Sequence, residues 1–172
     1  MLYTTRELFD EKNGRLLCTM HSTAFCRFDG GCAGSAVPAK APVLELQSVP
    51  ARAPDCVHAF AIPPQAALLY RLNGDDNPLH VDPVIARAAG FGRPILHGLC
   101  SYGVAGYSVI AQACCMDAAR LRQLDMRFTA PVYPGETLST ELWFEGSQAA
   151  RLRCRVTGRD VTVLDRGYAA WE

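Results

Sequence analysis

ILHGLCSYGVAGYSVIAQACC, residues 95–115, is the longest apolar segment of the chain, and its reading decides the fold. As one helix it would run about 31 Å at 1.5 Å per residue. Apolar or small residues lie on every side of it, a pattern shared by membrane spans and by helices buried inside a protein. Its three glycines, two serines, His97 and Gln112, with no basic flank, favour burial. The segment is therefore expected to be a core helix, with no membrane association.

Downstream of Arg120 the period changes. LRQLDMRFTA, TLSTELWFEG, AARLRCRVTG and VTVLDRGYAAW are four strand-like runs, separated by Pro134-Gly135, Gly146 and Gly158-Arg159-Asp160. Strands at such short spacing imply an antiparallel sheet, and a sheet with one helix buried against it is an α+β layout. Upstream, Pro63 and Pro64 open a short helix over Gln65–Leu72 that Asn73-Gly74 stops, and Pro83–Ala89 forms a second, closed by Gly90. Between them lies the loop DDNPLHVD, residues 75–82.

The first part of the chain reads differently. Asn13-Gly14 is a hairpin signal, followed by a strand over residues 15–28 that GGCAG ends. Residues 35–54 carry Pro38, Pro42, Pro50 and Pro54 with little periodicity, which suggests an extended linker with one short strand at Val43–Gln47 and a domain boundary near residue 50. At 172 residues there is room for one ordinary domain and not two.

Composition narrows the function classes. Lysine plus arginine and aspartate plus glutamate number 17 each, so the chain as a whole supplies no electropositive field for nucleic acid. Eight scattered cysteines contain no CxxC or CxxH pair of zinc-ligand spacing and read as reduced thiols. The opening residues MLYTTRELFDEKNG lack a secretory pattern and YAAWE is no peroxisomal address, so a cytoplasmic location is expected. Ser101 in GLCSYG lacks the GxSxG spacing of a serine nucleophile, and Cys100 fits simple packing in an apolar helix. GFGRP and GGCAG do not make a phosphate-binding glycine motif.

Acid–base addition of water to a polarised double bond needs a base for the water, an acid for the carbon, and donors for the developing oxyanion. The chain offers a candidate for each. Asp75 and His80 stand five apart in a constrained loop with Asn77 between them, and His97-Gly98 opens the core helix, where backbone N–H groups are unpaired. The plain alternatives are turn chemistry for Asp75 and Asp76, a structural or surface role for His80, and an N-cap before Pro83 for Asp82, the last being preferred. Arg151, Arg153 and Arg155 alternate with Leu152, Cys154 and Val156 and would share one strand face, either meeting the phosphates of a ligand or forming a solvated outer surface.

The run YRLNGDDNPLHVDPVIARAAGFGRPILHGLCSYGVAG, residues 70–106, resembles the hydratase motif of the MaoC-like dehydratases and (R)-specific, type-two enoyl-CoA hydratases, and RFTAPVYPGETL, residues 127–138, extends the resemblance. It implies a hotdog fold, a long central helix wrapped by a curved antiparallel β-sheet, over residues 49–172. It also implies an activity: reversible hydration of a trans-2-enoyl-CoA to an (R)-3-hydroxyacyl-CoA. The family's aspartate and histidine fall on Asp75 and His80, its assisting asparagine on Asn77, and its oxyanion-holding amide on Gly98. No metal and no separate cofactor are implied, coenzyme A being part of the substrate.

FDEKNGRLLCTMHSTAFCRFDGGCAG, residues 9–34, resembles the closing strands of a preceding hotdog repeat, so residues 1–48 read as a remnant of that repeat plus the proline-rich linker. Hotdog units bury an edge and a face against a second unit, which implies a homodimer or higher assembly. Two other readings stay open: a non-catalytic acyl-CoA-binding or assembly subunit, and an acyl-CoA thioesterase on the same fold.

Overall fold

The computed structural model describes residues 2–24 and 46–172. The chain divides into two compact units, residues 1–44 and 45–172. In the first, β1 (Leu2–Phe9) and β2 (Leu16–Ala24) pair antiparallel. Asp10 organises their turn, exchanging backbone bonds with Gly14 and Arg15 and accepting from the Lys12 N–H through its side chain. Gly14 takes the left-handed conformation (φ +68°) for which glycine carries no steric penalty. The expected strand over residues 15–28 is seen as Leu16–Ala24, and its last four positions lie outside the described residues. Of the short strand expected at Val43–Gln47 only Leu46 and Gln47 are described, and they are not in a strand.

The second unit is a five-stranded antiparallel sheet in the order β3-β5-β6-β7-β4, formed by β3 (Cys56–Ala61), β4 (Leu121–Phe128), β5 (Thr137–Phe144), β6 (Ala149–Val156) and β7 (Val161–Trp171). The last four strands fall where the alternation places them. The first was not foreseen, because one of its partly buried positions is His58, whose Nδ1 bonds the Ser108 hydroxyl at 3.0 Å and breaks the apolar pattern.

Two short helices, α1 (Ala66–Tyr70) and α2 (Pro83–Ala88), precede the long helix α3 (Gly98–Ala113). Asp82 caps α2 by accepting from the Val84 N–H at 2.7 Å and the Ile85 N–H at 3.4 Å, with Pro83 at the first helical position. Helix α3 packs on the sheet through Ser101, Ala105, Ser108 and Val109, over a core that includes Leu138, Leu142, Leu152 and Leu164. Together these form the α+β hotdog layout that the sequence implies.

The long helix departs from expectation in two ways. It has 16 residues, about 24 Å at 1.5 Å per residue, and not the whole of 95–115. At its start, Leu96 donates its N–H to the Val132 carbonyl at 2.7 Å and the Ile95 carbonyl accepts from His80, so both backbones are committed outside a helix. At its end, Cys115 and Met116 turn to φ +54° and +63°. Nor is it buried all round within this chain: Leu99 and Tyr107 are exposed.

On β6 the alternation holds. Leu152, Cys154 and Val156 are buried, while Arg151, Arg153 and Arg155 share the other face. There they are paired with acidic partners: Arg151 with Glu145 at 3.0 Å, Arg153 with Glu141 at 2.6 Å, and Arg155 with Asp160. Residues 46–55 lie along this face, where Gln47 accepts from Arg151 and the Arg52 carbonyl accepts from the Trp143 indole N–H.

Candidate active site

The loop between α1 and α2 is built from two 3-10 turns, Arg71–Asn73 and Pro78–His80, separated by Gly74 at φ +96°. That positive φ lets the chain leave the first turn sharply and puts Asp75 at the start of the next segment. Asn77 caps the second turn, its Oδ1 accepting from the Leu79 N–H at 3.0 Å, while its own N–H approaches Asp75 Oδ1 at 3.4 Å. The structure thus gives Asn77 a local task, that of shaping the turn that carries His80.

His80 is buried, and its Nδ1 lies 2.9 Å from the Ile95 carbonyl oxygen. A carbonyl can only accept, so Nδ1 carries the proton and a neutral ring keeps its lone pair on Nε2. The same argument applies to His97, the residue before α3, whose Nε2 lies 3.1 Å from the Asp75 carbonyl oxygen. His97 is 1% exposed, and its ring stacks on His80 with centroids 3.7 Å apart and planes at 27°. Tyr70 packs against it at 4.7 Å.

A carboxylate oxygen of Asp75 and a ring nitrogen of each histidine all lie within 4.8 Å of one another. One water making hydrogen bonds of about 2.8 Å on each side can bridge such a gap between Asp75 and His80. The cluster is poorly arranged for an ion, because a shared metal must lie near the plane of each imidazole ring it binds, and stacked rings have separate, nearly parallel planes.

Burial is the largest influence on His97 and holds its pKa below the ordinary histidine value; the hydrogen bond to the Asp75 carbonyl opposes this, while His80 and Arg71 add to it. Burial likewise pushes the Cys100 thiol up, which keeps it protonated and unsuited to attack. Ser101 is buried beside it on α3 and lines a cavity.

That cavity, of about 250 Å³, lies between the start of α3 and the loop after β4, with Phe91, Ile95, Gly98, Phe128 and Val132 among its walls. Gly98 is the first residue of α3, and among the described residues its N–H has no backbone acceptor, as befits the free positive end of a helix. A Cβ added at Gly98 would stand 3.2 Å from the Phe128 ring, so glycine lets that ring pack closely against the start of α3. Asp75 and His80 are not part of the cavity wall. Ile95 links the two, because it lines the cavity while its carbonyl holds His80.

The four residues singled out from the sequence therefore occupy two adjoining places. Asp75, Asn77 and His80 share one loop, and Gly98 lies across Ile95–His97 on the cavity side. The sequence reading underrated His97, noted only as opening the helix, and had no means of finding the Ile95 carbonyl, since a backbone acceptor leaves no mark on residue type.

Comparison with known proteins agrees with this fold. A family model described as the MaoC like domain matches residues 45–164. Enoyl-CoA hydratase 2, peroxisomal, of Arabidopsis thaliana is 41% identical over 165 residues, covering 93% of this chain and 53% of that protein. The full-length peroxisomal multifunctional enzyme type 2 from Drosophila melanogaster superposes with a TM-score of 0.87 at 38% identity, covering 99% of this chain and 30% of that one. A MaoC-like dehydratase from Phytophthora capsici gives 0.84 at 37% identity, covering 99% and 56%. The chain thus spans about half the length of the first of these relatives. Because the family model takes in the loop, the long helix and most of the sheet described above, the chain belongs to the MaoC-like domain family.

Proposed function

We propose that this chain is a hydro-lyase that adds water reversibly to a trans-2-enoyl-CoA to give an (R)-3-hydroxyacyl-CoA. The observation that carries the reading is the juxtaposition of the Asp75 carboxylate with the ring of a His80 fixed through Nδ1, beside a helix N-terminus with a free N–H at Gly98. Water held between Asp75 and His80 attacks C3 as Nε2 takes one of its protons. The double-bond electrons move onto the thioester oxygen, where the Gly98 N–H and the helix terminus stabilise the enolate. The enolate collapses as C2 gains a proton from the pair, so one water is consumed and the enzyme returns to its starting protonation state. The names of the relatives, hydratases and dehydratases, support the same chemistry.

The test is to follow loss of the enoyl absorbance of crotonyl-CoA and release of free thiol in the same samples. Absorbance loss without thiol, abolished by Asp75→Asn, is the expected outcome. Thiol release would make the chain a thioesterase, and binding without either signal would make it an acyl-CoA-binding or assembly subunit.

Exposed Leu99 and Tyr107 on α3, with Leu68 on α1 and Val84 on α2, support pairing with a second hotdog unit. A homodimer or larger species in light scattering is expected, and a monomer at micromolar concentration would count against it. Among the described residues no helix is long and apolar enough to cross a membrane. The cytoplasmic location is tested by a fluorescent fusion, and a peroxisomal signal, in line with the names of several relatives, would overturn it.

A further inference from the structure

We propose that His97 is a positioning residue for the reaction, a neutral imidazole that fixes Asp75 through its backbone and His80 through its ring. The proposal rests on the reading of Asp75 and His80 given above.

Three contacts carry it. The His97 Nε2–H donates to the Asp75 carbonyl at 3.1 Å, tying the exposed loop to the buried start of α3. The His97 ring covers one face of His80 at 3.7 Å, so that His80, already held in its plane by the Ile95 carbonyl, has its orientation fixed in a second direction. Tyr70 packs on His97 in turn and limits its movement. Asp75 needs this support. Its carboxylate receives only the long 3.4 Å contact from the Asn77 N–H among the described hydrogen bonds, and its side chain faces solvent.

The ring must be neutral for this role. Its Nδ1 is buried without a hydrogen-bond partner. Protonation there would leave an unpaired N–H in the interior and set a cation against His80 and Arg71, with only Asp75 to offset it. Burial already disfavours the charged form, so the same surroundings that orient the ring also keep its one proton on Nε2, where the Asp75 carbonyl uses it.

Two substitutions in the full chain separate the contributions. His97→Phe keeps the stack and removes the donor, whereas His97→Gln keeps a donor and removes the aromatic ring. With crotonyl-CoA, His97→Phe is expected to lose about 10²-fold in kcat, the scale of a misplacement near 1 Å, with KM changed by less than about 3-fold. His97→Gln is expected to recover roughly a tenth of the wild-type kcat or more through its restored donor. A loss confined to KM, an unchanged kcat in His97→Phe, or no recovery in His97→Gln would overturn the proposal. Asp75→Asn measured alongside keeps the two readings apart: if it retains activity, the assignment of the chemistry fails first. Should His97→Phe not fold, nitrogen chemical shifts of the wild-type histidines still decide. A neutral Nε2–H tautomer at neutral pH is expected, and an Nδ1–H tautomer or an imidazolium overturns the proposal.

Discussion

The loop of residues 71–82 and the strand pair β6–β7 hold their residues in place by different means. Along β6 every second side chain, from Ala150 to Val156, is buried, and the pairing with β7 is so close that a Cβ at Gly167 would fall 2.7 Å from the Leu152 carbonyl oxygen. Its position is secured by apolar burial and a ladder of backbone bonds. The loop has one buried side chain, His80, and little apolar area of its own. Its shape comes from directional bonds: the Asn77 cap, the His80 bond to Ile95 and the His97 bond to Asp75. The loop can therefore expose Asp75 to solvent and still define where it stands. Its geometry depends on a few hydrogen bonds, each removable by one substitution, whereas that of the sheet is spread over many contacts.

That contrast can be broken from either side. The largest effect is expected from His80→Ala, which removes the general base and should lower kcat by about 10²- to 10⁴-fold. Its thermal midpoint should stay near that of the wild type, and a kcat retained within a few-fold would dissolve the distinction. Next comes Leu152→Ala in the sheet, expected to cost about 2–5 kcal/mol of stability through the cavity it leaves. Measured by urea unfolding, this loss should come with unchanged kcat per folded molecule.

Asn77→Ala is smaller and sharpens the picture of the loop. Losing the cap should cost about 1 kcal/mol, a smaller shift of the urea midpoint than in Leu152→Ala, and kcat should fall because the turn that carries His80 loosens. Arg153→Ala is smaller again. Its bond to Glu141 and its place over the Trp143 ring lie on the outer sheet face, so about 1 kcal/mol or less is expected. Steady-state constants should be unaltered; a raised KM for the thioester would instead tie the arginine face to coenzyme A.

The gentlest probe changes no residue. His97 has a lowered pKa in the folded chain, so the unfolded state binds the proton more readily. Its contribution to stability is complete above the ordinary histidine pKa of about 6.5 and is lost as pH falls through that value toward the folded one. Urea midpoints on the two sides of this window should therefore drop in acid, and by less in His97→Phe.

Legibility in the sequence follows the same division. Strands β4 to β7 could be read because two-residue alternation reports burial directly, and β6 shows the result in its arginine comb. Strand β3 could not, since the partner of His58 is a serine 50 positions away. In the loop, the Asp82 cap was readable because the N–H groups that donate to it lie two and three residues on. The ends of α3 were misjudged because nothing local in Ile95 or Leu96 declares that their backbone groups are bound elsewhere.

The sequence by itself determined the residue types and their spacing: an aspartate and a histidine five apart in a capped loop, a glycine at the head of an apolar helix, and alternating strands after it. These follow from local propensity and periodicity, which act over a few residues. Only the tertiary structure decided which nitrogen of His80 is free, that His97 stands between the loop and the helix, and that Gly98 opens onto a cavity. Each depends on groups brought together from distant parts of the chain, above all on backbone carbonyls, whose positions no side chain encodes.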